Sequence, residues 1–139
     1  MLRKIAFFYP WATHGGVEKV MLTRARLLND TGKYQVDLLF THDSGAAKAI
    51  TTALSDCKNV NVKIVNFDYL LTQDYSLIFC IDFPAALTFC HTHKLKYFAE
   101  CHTPYKENRA YLNNVPHSCL AVLCPSCLLY TSPSPRDCS

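Results

Sequence analysis

Two glycines at a strand-to-helix junction are the first residues of this chain that could bind a ligand. Gly15 and Gly16 follow an apolar run and precede a segment with helical spacing, and His14 stands directly before them. Two adjacent residues without a Cβ let backbone amides approach a ligand, and the helix behind them adds N–H donors and the positive end of its dipole. The junction therefore predicts an anion site, with a tight turn as the alternative use of the same glycines.

A second candidate segment lies far along the chain, directly after an apolar run. His102 and Thr103 follow residues 97–101, which have the composition of a buried strand. His102 is either a residue of the site or a loop histidine that caps a turn. The same two interpretations apply to His14. We therefore carry both histidines forward as candidate site residues.

Three charged residues near these segments have a functional and a structural interpretation. Lys19 and Arg109 could steer an anionic ligand, or their side chains are simply solvated. Glu18 lies in the first turn of the predicted helix, where the helix dipole stabilises a carboxylate. For Glu18 we prefer that structural interpretation.

Histidines and cysteines are numerous, but their spacing does not predict a metal site. The candidate ligands straddle a helix, a loop and a strand instead of forming two compact pairs. We therefore expect no bound metal. The cysteines before residue 125 lie in apolar runs, which is typical of free thiols in a reducing compartment. The candidate ligands considered are Cys90, His91, His93, Cys101 and His102.

Composition limits the classes of partner. The chain has 139 residues, half of them hydrophobic, which is enough for one core. A net charge of +3 with 18% charged residues forms no basic stripe, so nucleic acid is not an expected partner. Pro10 and Trp11 end the first apolar run and no cleavage pattern follows, which argues against a signal peptide. We expect a cytoplasmic protein, with the inner face of a membrane left open as a place of peripheral association.

Hydrophobic periodicity predicts strands alternating with helices. Such alternation implies right-handed crossovers and a parallel sheet, so the predicted fold is a doubly wound, Rossmann-like α/β domain. Its ligands bind beyond the carboxyl ends of the strands, where both candidate segments lie. A strand exposed at the sheet edge is predicted over 60–64. The predicted strands are 4–9, 36–40, 60–64, 77–81, 97–101 and 119–124, and the predicted helices are 17–28, 46–54, 85–93 and 107–112.

The last residues differ in character from the rest. Residues 127–139 contain two Ser-Pro steps and no hydrophobic period, and they resemble a translated sequencing adapter. We therefore assign a truncated domain to residues 1–126 and a non-native tail to 127–139. Cys124 and Cys127 form a C-x-x-C pair, but its second member lies in that tail, so the pair is given no weight.

In their order along the chain, four loop segments resemble those of the N-terminal domain of GT-B glycosyltransferases of the retaining family 4. The likeness covers residues 3–126 and is specific only through the combination of the segments. They are Gly15-Gly16-Val17-Glu18-Lys19, Asp74-Tyr75-Ser76-Leu77-Ile78, Glu100-Cys101-His102-Thr103-Pro104 and Val122-Leu123-Cys124-Pro125-Ser126.

The resemblance implies a transferase with two Rossmann-like domains that face each other across a cleft. The N-terminal domain would hold a glycan or lipid-linked acceptor, and the amides of Gly15 and Gly16 would face the diphosphate of a nucleotide-sugar donor. His102 would act as the catalytic residue beside the transferred sugar. The donor is a substrate, and no other cofactor is implied. The donor-binding domain is missing, so this fragment alone is expected to be inactive. The remaining candidates for substrate contact are His14, Lys19, Thr103 and Arg109.

Two rival functions remain. A dinucleotide-dependent oxidoreductase would use the same fold, but the chain lacks a G-x-G-x-x-G segment, and Asp43 is the one acidic residue near the place of a ribose ligand. A noncatalytic binding domain of the same fold is the second rival. A second α/β domain with a glutamate pair further along the reading frame would decide for the transferase.

Overall fold

A computed structural model describes residues 1–103 and 105–124 of the chain, and its centre is a six-stranded parallel sheet. The strand order is β3-β2-β1-β4-β5-β6, so the chain reverses its direction of winding between β1 and β4. This is the doubly wound, Rossmann-like α/β fold that the sequence predicts. The tail 127–139 and the boundary at 126 lie outside the described residues. The strands are β1 (Arg3–Ala12), β2 (Tyr34–Asp43), β3 (Val60–Ile64), β4 (Leu77–Ile81), β5 (Tyr97–Glu100) and β6 (Val122–Leu123).

Helices cover both faces of the sheet, and the sheet separates two apolar cores. The first core lies under α1 and α2, and Phe7 stacks on Phe79 beside it with ring centroids 4.7 Å apart. The second core lies under α3 and a 3-10 helix, with Phe8 and Tyr97 at its centre. The helices are α1 (Gly16–Asp30), α2 (Ala47–Ala53) and α3 (Pro84–Thr92), with 3-10 helices over Phe67–Leu71 and Lys106–Asn114.

The first strand is longer than predicted. Pro10 was expected to end the strand, yet β1 continues through Ala12. Pairing with β4 stops at Phe8, and beyond that point β1 pairs with β2 alone. Pro10 has no N–H to donate, but the side of β1 that faces β4 has no partner strand at this position. No hydrogen bond of the sheet is therefore lost on that side. The extension carries Trp11 to the carboxyl edge of the sheet.

The last elements are weaker than predicted. The helical segment expected over 107–112 is a 3-10 helix, and it buries only Leu112. The strand expected over 119–124 is reduced to two residues, because the Cys119 N–H donates to the Pro116 carbonyl in a turn. By contrast, the edge position of β3 is confirmed, since β3 pairs only with β2.

Four described cysteines are buried free thiols: Cys57, Cys80, Cys90 and Cys101. Cys80 and Cys90 pack against each other across the second core with their Sγ atoms 3.9 Å apart. This agrees with the expectation that the cysteines act as small apolar side chains. Within residues 1–103 and 105–124, no helix is long and apolar enough to cross a membrane.

Candidate active site

A buried carboxylate lies at the carboxyl end of β5. Glu100 is completely buried, and its Oε1 accepts a hydrogen bond of 2.5 Å from the Arg24 guanidinium of α1. Its Oε2 is bonded to Nε2 of His102. Burial raises the pKa of the Glu100 carboxyl, but the hydrogen bonds from His102 and Arg24 outweigh burial and hold that pKa below its ordinary value. Glu100 is therefore ionised at neutral pH.

A second carboxylate fixes the backbone of His102. Asp82 follows β4 and accepts the His102 N–H at 3.0 Å and the Tyr111 hydroxyl at 2.9 Å. The Asp82 N–H in turn donates to the Glu100 carbonyl at 2.8 Å. The backbone of Asp82 has a positive φ of 44°, a conformation that residues other than glycine rarely adopt. Strain of this kind at a strand end is typical of a functional site.

The groups around Asp82 keep their protons. Burial, followed by the charge of Asp82, raises the pKa of the Cys101 thiol to about 12. Burial and the same carboxylate also raise the pKa of the Tyr111 hydroxyl. Neither group is a nucleophile or a base at neutral pH, because both stay protonated. Of the residues on this side of the site, His102 is therefore the candidate for chemistry at neutral pH, and its side chain is 9% exposed.

The glycine loop is held by Glu18, as its structural interpretation requires. The buried Glu18 carboxylate accepts the N–H of Thr13 at 2.9 Å and the N–H of Gly15 at 3.1 Å, and it also accepts the Thr13 hydroxyl. Glu18 is the third residue of α1, so it caps the helix from within. Because Glu18 already uses the Gly15 amide, the first amides of the helix proper, beginning with Gly16, remain for a ligand.

Neither glycine is required by the backbone. Gly15 is extended with φ of −90°, and a positive φ occurs only at Gly32 and Gly45 among the glycines of this chain. A Cβ on Gly16 would meet no atom within 4 Å, and a Cβ on Gly15 would make ordinary contacts of 3.4 Å or more with side-chain atoms of Thr13 and Glu18. The tight-turn interpretation therefore has no support in the conformation. The space above Gly16 is open.

A pocket of about 170 Å³ lies between the glycine loop and α2. Three of the predicted site residues line this pocket: His14, Gly15 and Lys19. The cationic side chain of Lys19 and the ionisable side chain of His14 are exposed. The floor of the pocket is apolar. The lining residues are Thr13, His14, Gly15, Glu18, Lys19, Leu22, Ala49 and Ile50.

Tyr9 connects the two sides of the site. Burial raises the pKa of its hydroxyl, and the charges of Glu18 and Asp82 raise it further, so both carboxylates act on the same hydroxyl. Glu18 lies in the first turn of α1, which follows β1, and Asp82 follows β4. These are the two strands between which the sheet reverses its winding, where ligands of such folds bind.

The predicted site residues thus form two groups and not one pocket. His14, Gly15 and Lys19 surround the pocket by α2, with Gly16 beside it at the helix start. His102 and Thr103 lie on the β5 side. Arg109 lies in the 3-10 helix, near enough to Cys124 for its charge to lower the pKa of that thiol against the larger effect of burial.

Sequence reasoning assigned no role to four residues that organise the site. Glu100 binds the His102 ring and Asp82 accepts its backbone N–H. Arg24 donates to Glu100, and Tyr111 donates to Asp82. One signal was available: acidic residues directly follow or end the apolar runs of β4 and β5. Among the described residues, no group of three or more His, Cys, Asp or Glu side chains is arranged to hold a metal ion.

Comparison with known proteins shows the fold of this chain but not the family to which it belongs. No protein-family model matches the chain, and no curated protein matches it. UGT73P12 of Glycyrrhiza uralensis, solved in complex with glycyrrhetinic acid 3-O-monoglucuronide, aligns with a TM-score of 0.55 and 12% identity over 76% of this chain and 29% of that chain. MT0777 aligns with a TM-score of 0.61 and 12% identity over 86% of this chain and 84% of that chain.

The chain therefore spans less than a third of UGT73P12, which is a GT-B glycosyltransferase. At 12% identity the likeness shows the fold alone. The fold is Rossmann-like and similar to one part of a GT-B enzyme. The finer resemblance to family 4 stays a prediction.

Proposed function

We propose that this chain is the acceptor-side domain of a nucleotide-sugar-dependent retaining glycosyltransferase. The observation that carries the proposal is the fixation of His102 by two carboxylates, Glu100 and Asp82, at the carboxyl edge of a glycosyltransferase-like fold. A histidine that merely capped a turn would not need a completely buried ionic partner. The proposed enzyme also comprises a donor-binding domain. It takes a nucleotide-sugar as the donor and a glycan or lipid-linked molecule as the acceptor.

The hydrogen bonds of His102 determine what its ring can do. An ionised carboxylate only accepts hydrogen bonds, so Nε2 of His102 carries the proton in the bond to Glu100. Nδ1 is then the atom available to a sugar hydroxyl. In the neutral ring Nδ1 accepts a hydrogen bond from that hydroxyl, and in the imidazolium form Nδ1 donates to it and stabilises negative charge that develops nearby. Arg24 shares the Glu100 carboxylate and fixes its position.

The glycine loop supplies the second half of the proposed mechanism. The amide of Gly16 and the positive end of the α1 dipole would face the donor diphosphate, while His14 and Lys19 add positive charge at the same edge. Thr103 and Arg109 would contact the acceptor from the β5 side. We assign Glu18 to holding the loop, because its buried carboxylate accepts the loop donors through Oε2.

Two glycine substitutions test the proposed role of the loop. Gly16→Ala should keep or raise the stability of the domain by up to about 1 kcal/mol, since alanine suits a helix better. The same change should lower sugar transfer by the complete protein at least about tenfold, the equivalent of one lost close contact with the diphosphate. Melting temperature and initial rate are measured on the same preparations.

Gly32→Ala is the matched control. Gly32 has a positive φ of 70° and lies at the opposite edge of the sheet, after α1. Alanine there should cost about 1–2 kcal/mol of stability and leave turnover per folded molecule unchanged. If Gly16→Ala instead lost stability and kept its activity, the loop would be structural and the proposed diphosphate contact would be wrong.

A further inference from the structure

An exposed aromatic pair lies at the carboxyl edge of the sheet, one strand from the glycine loop. Trp11 of β1 and His42 of β2 are neighbours in register, and their rings stack with centroids 4.7 Å apart and planes inclined by 28°. Trp11 is 48% exposed, which fits an open ring face opposite His42. Trp11 belongs to neither core, so the fold does not need an indole at this position.

The imidazole under Trp11 is held in a defined orientation. The Thr41 hydroxyl donates to the Pro10 carbonyl at 3.0 Å, so it can only accept in its second contact, which is 3.0 Å from Nδ1 of His42. Nδ1 therefore carries a proton, and in the neutral ring Nε2 is left as an acceptor. The His42 ring that stacks on Trp11 is thus fixed in orientation and offers Nε2 as an acceptor.

Asp43, the residue after His42, is turned towards the start of α2 and away from the pair. Asp43 accepts the N–H of Gly45 at 2.8 Å and the N–H of Ala47 at 3.2 Å through the same oxygen, Oδ1. The side chain is exposed, and these hydrogen bonds lower the pKa of its carboxyl. The edge thus presents one flat apolar surface, the Trp11 indole, with Nε2 of His42 as the acceptor beside it.

We propose that Trp11 and His42 form a stacking platform for a pyranose ring of the acceptor. The apolar C–H face of a sugar packs on an indole, while its hydroxyl groups reach a polar atom beside the ring, here Nε2 of His42. This inference rests on the proposed function and names a carbohydrate as the part of the acceptor that is bound. A purely apolar ligand fits the platform poorly, because the open edge would leave most of that ligand in water.

Trp11 is the one tryptophan of the chain, so its fluorescence reports on the platform alone. The 139-residue chain is titrated with maltose, lactose, chitobiose and mannobiose, and with an apolar anilinonaphthalene dye for comparison. At least one disaccharide should change the Trp11 emission in a saturable way. Absence of any saccharide effect, or a response to the dye alone, would overturn the proposal.

Variants test whether the indole itself binds the sugar. Saturation-transfer NMR on the disaccharide should show binding weakened about tenfold or more in Trp11→Ala, which corresponds to the loss of one aromatic contact. Trp11→Phe keeps a smaller ring and should retain part of the affinity. Leu27→Ala removes another exposed apolar side chain, at 63% exposure, from α1 and should change nothing.

Equal sugar binding by Trp11→Ala and the natural chain would overturn the platform. Circular dichroism on each variant confirms that the comparison is between folded molecules. Because binding is measured without turnover, the outcome is independent of the proposed function: a platform that binds sugar in a protein without transferase activity would refute the transferase and not the platform.

Discussion

Replacing Glu100 with alanine is expected to lower the free energy of unfolding by about 3–5 kcal/mol, because the change leaves Arg24 and His102 without their shared buried partner. Chemical denaturation of the 139-residue chain, followed by circular dichroism, measures this loss. Glu100→Gln keeps a side chain of the same shape that can still accept a hydrogen bond, so its loss should be smaller.

An exposed ion pair that also uses an arginine of α1 provides the control. Arg26 and Asp56 lie 2.8 Å apart, but their side chains are 44% and 68% exposed. Asp56→Ala should cost less than about 1 kcal/mol, since solvent screens such pairs. If Glu100→Ala and Asp56→Ala cost the same, Glu100 would not be the buried centre of the site.

The pH dependence of stability follows from the same carboxylate. The pKa of Glu100 in the folded chain is below its ordinary value of 4.5, so its contribution is complete above that pH and is lost as the pH falls through the folded value. As the pH falls below 4.5, the natural chain should therefore lose stability more steeply than Glu100→Gln. Parallel curves for the two proteins would contradict the assignment.

His102→Ala should reduce the turnover of the complete enzyme by about a hundredfold, the effect of removing one group that stabilises charge in a transition state. The loss should fall on kcat more than on the KM for the donor, since the ring acts at the reacting sugar. Rates are expressed per folded molecule, because His102 also contributes to the Glu100 hydrogen bonds.

His93→Ala is the matched control for this substitution. His93 is an exposed histidine at the end of α3, and its ring contacts Phe89. Its removal should leave both kcat and KM unchanged. A His102→Ala variant that lost stability but kept its kcat would show that His102 only caps a loop.

The sheet could be predicted from the sequence because each strand is a local apolar run. Residues 77–81 are apolar throughout, and the alternation over 60–64 marked the edge strand β3. The ends of elements were less predictable, since Pro10 is tolerated only because β4 has already ended beside it. That fact depends on the pairing of strands and not on the neighbours of Pro10 in sequence.

In the site, too, contacts between residues close in sequence could be predicted, and contacts between distant residues could not. Glu18 acts on donors three and five residues away, and its structural interpretation was available from position alone. Arg24 and Glu100, in contrast, are 76 residues apart in sequence and meet only once α1 packs on the sheet. A single sequence carries no signal for such a pair. The stacking of Trp11 on His42 likewise needs the register of β1 and β2.

The central claim is tested most directly by sugar transfer from a panel of nucleotide-sugars. The protein encoded by the complete reading frame is incubated with each donor and a glycan and lipid extract, and release of the nucleoside diphosphate is followed. We expect release with at least one donor, none above background for the 139-residue chain alone, and a loss in His102→Ala. Turnover by the 139-residue chain would contradict the two-domain proposal, and hydride transfer with a dinucleotide in place of sugar transfer would contradict the transferase.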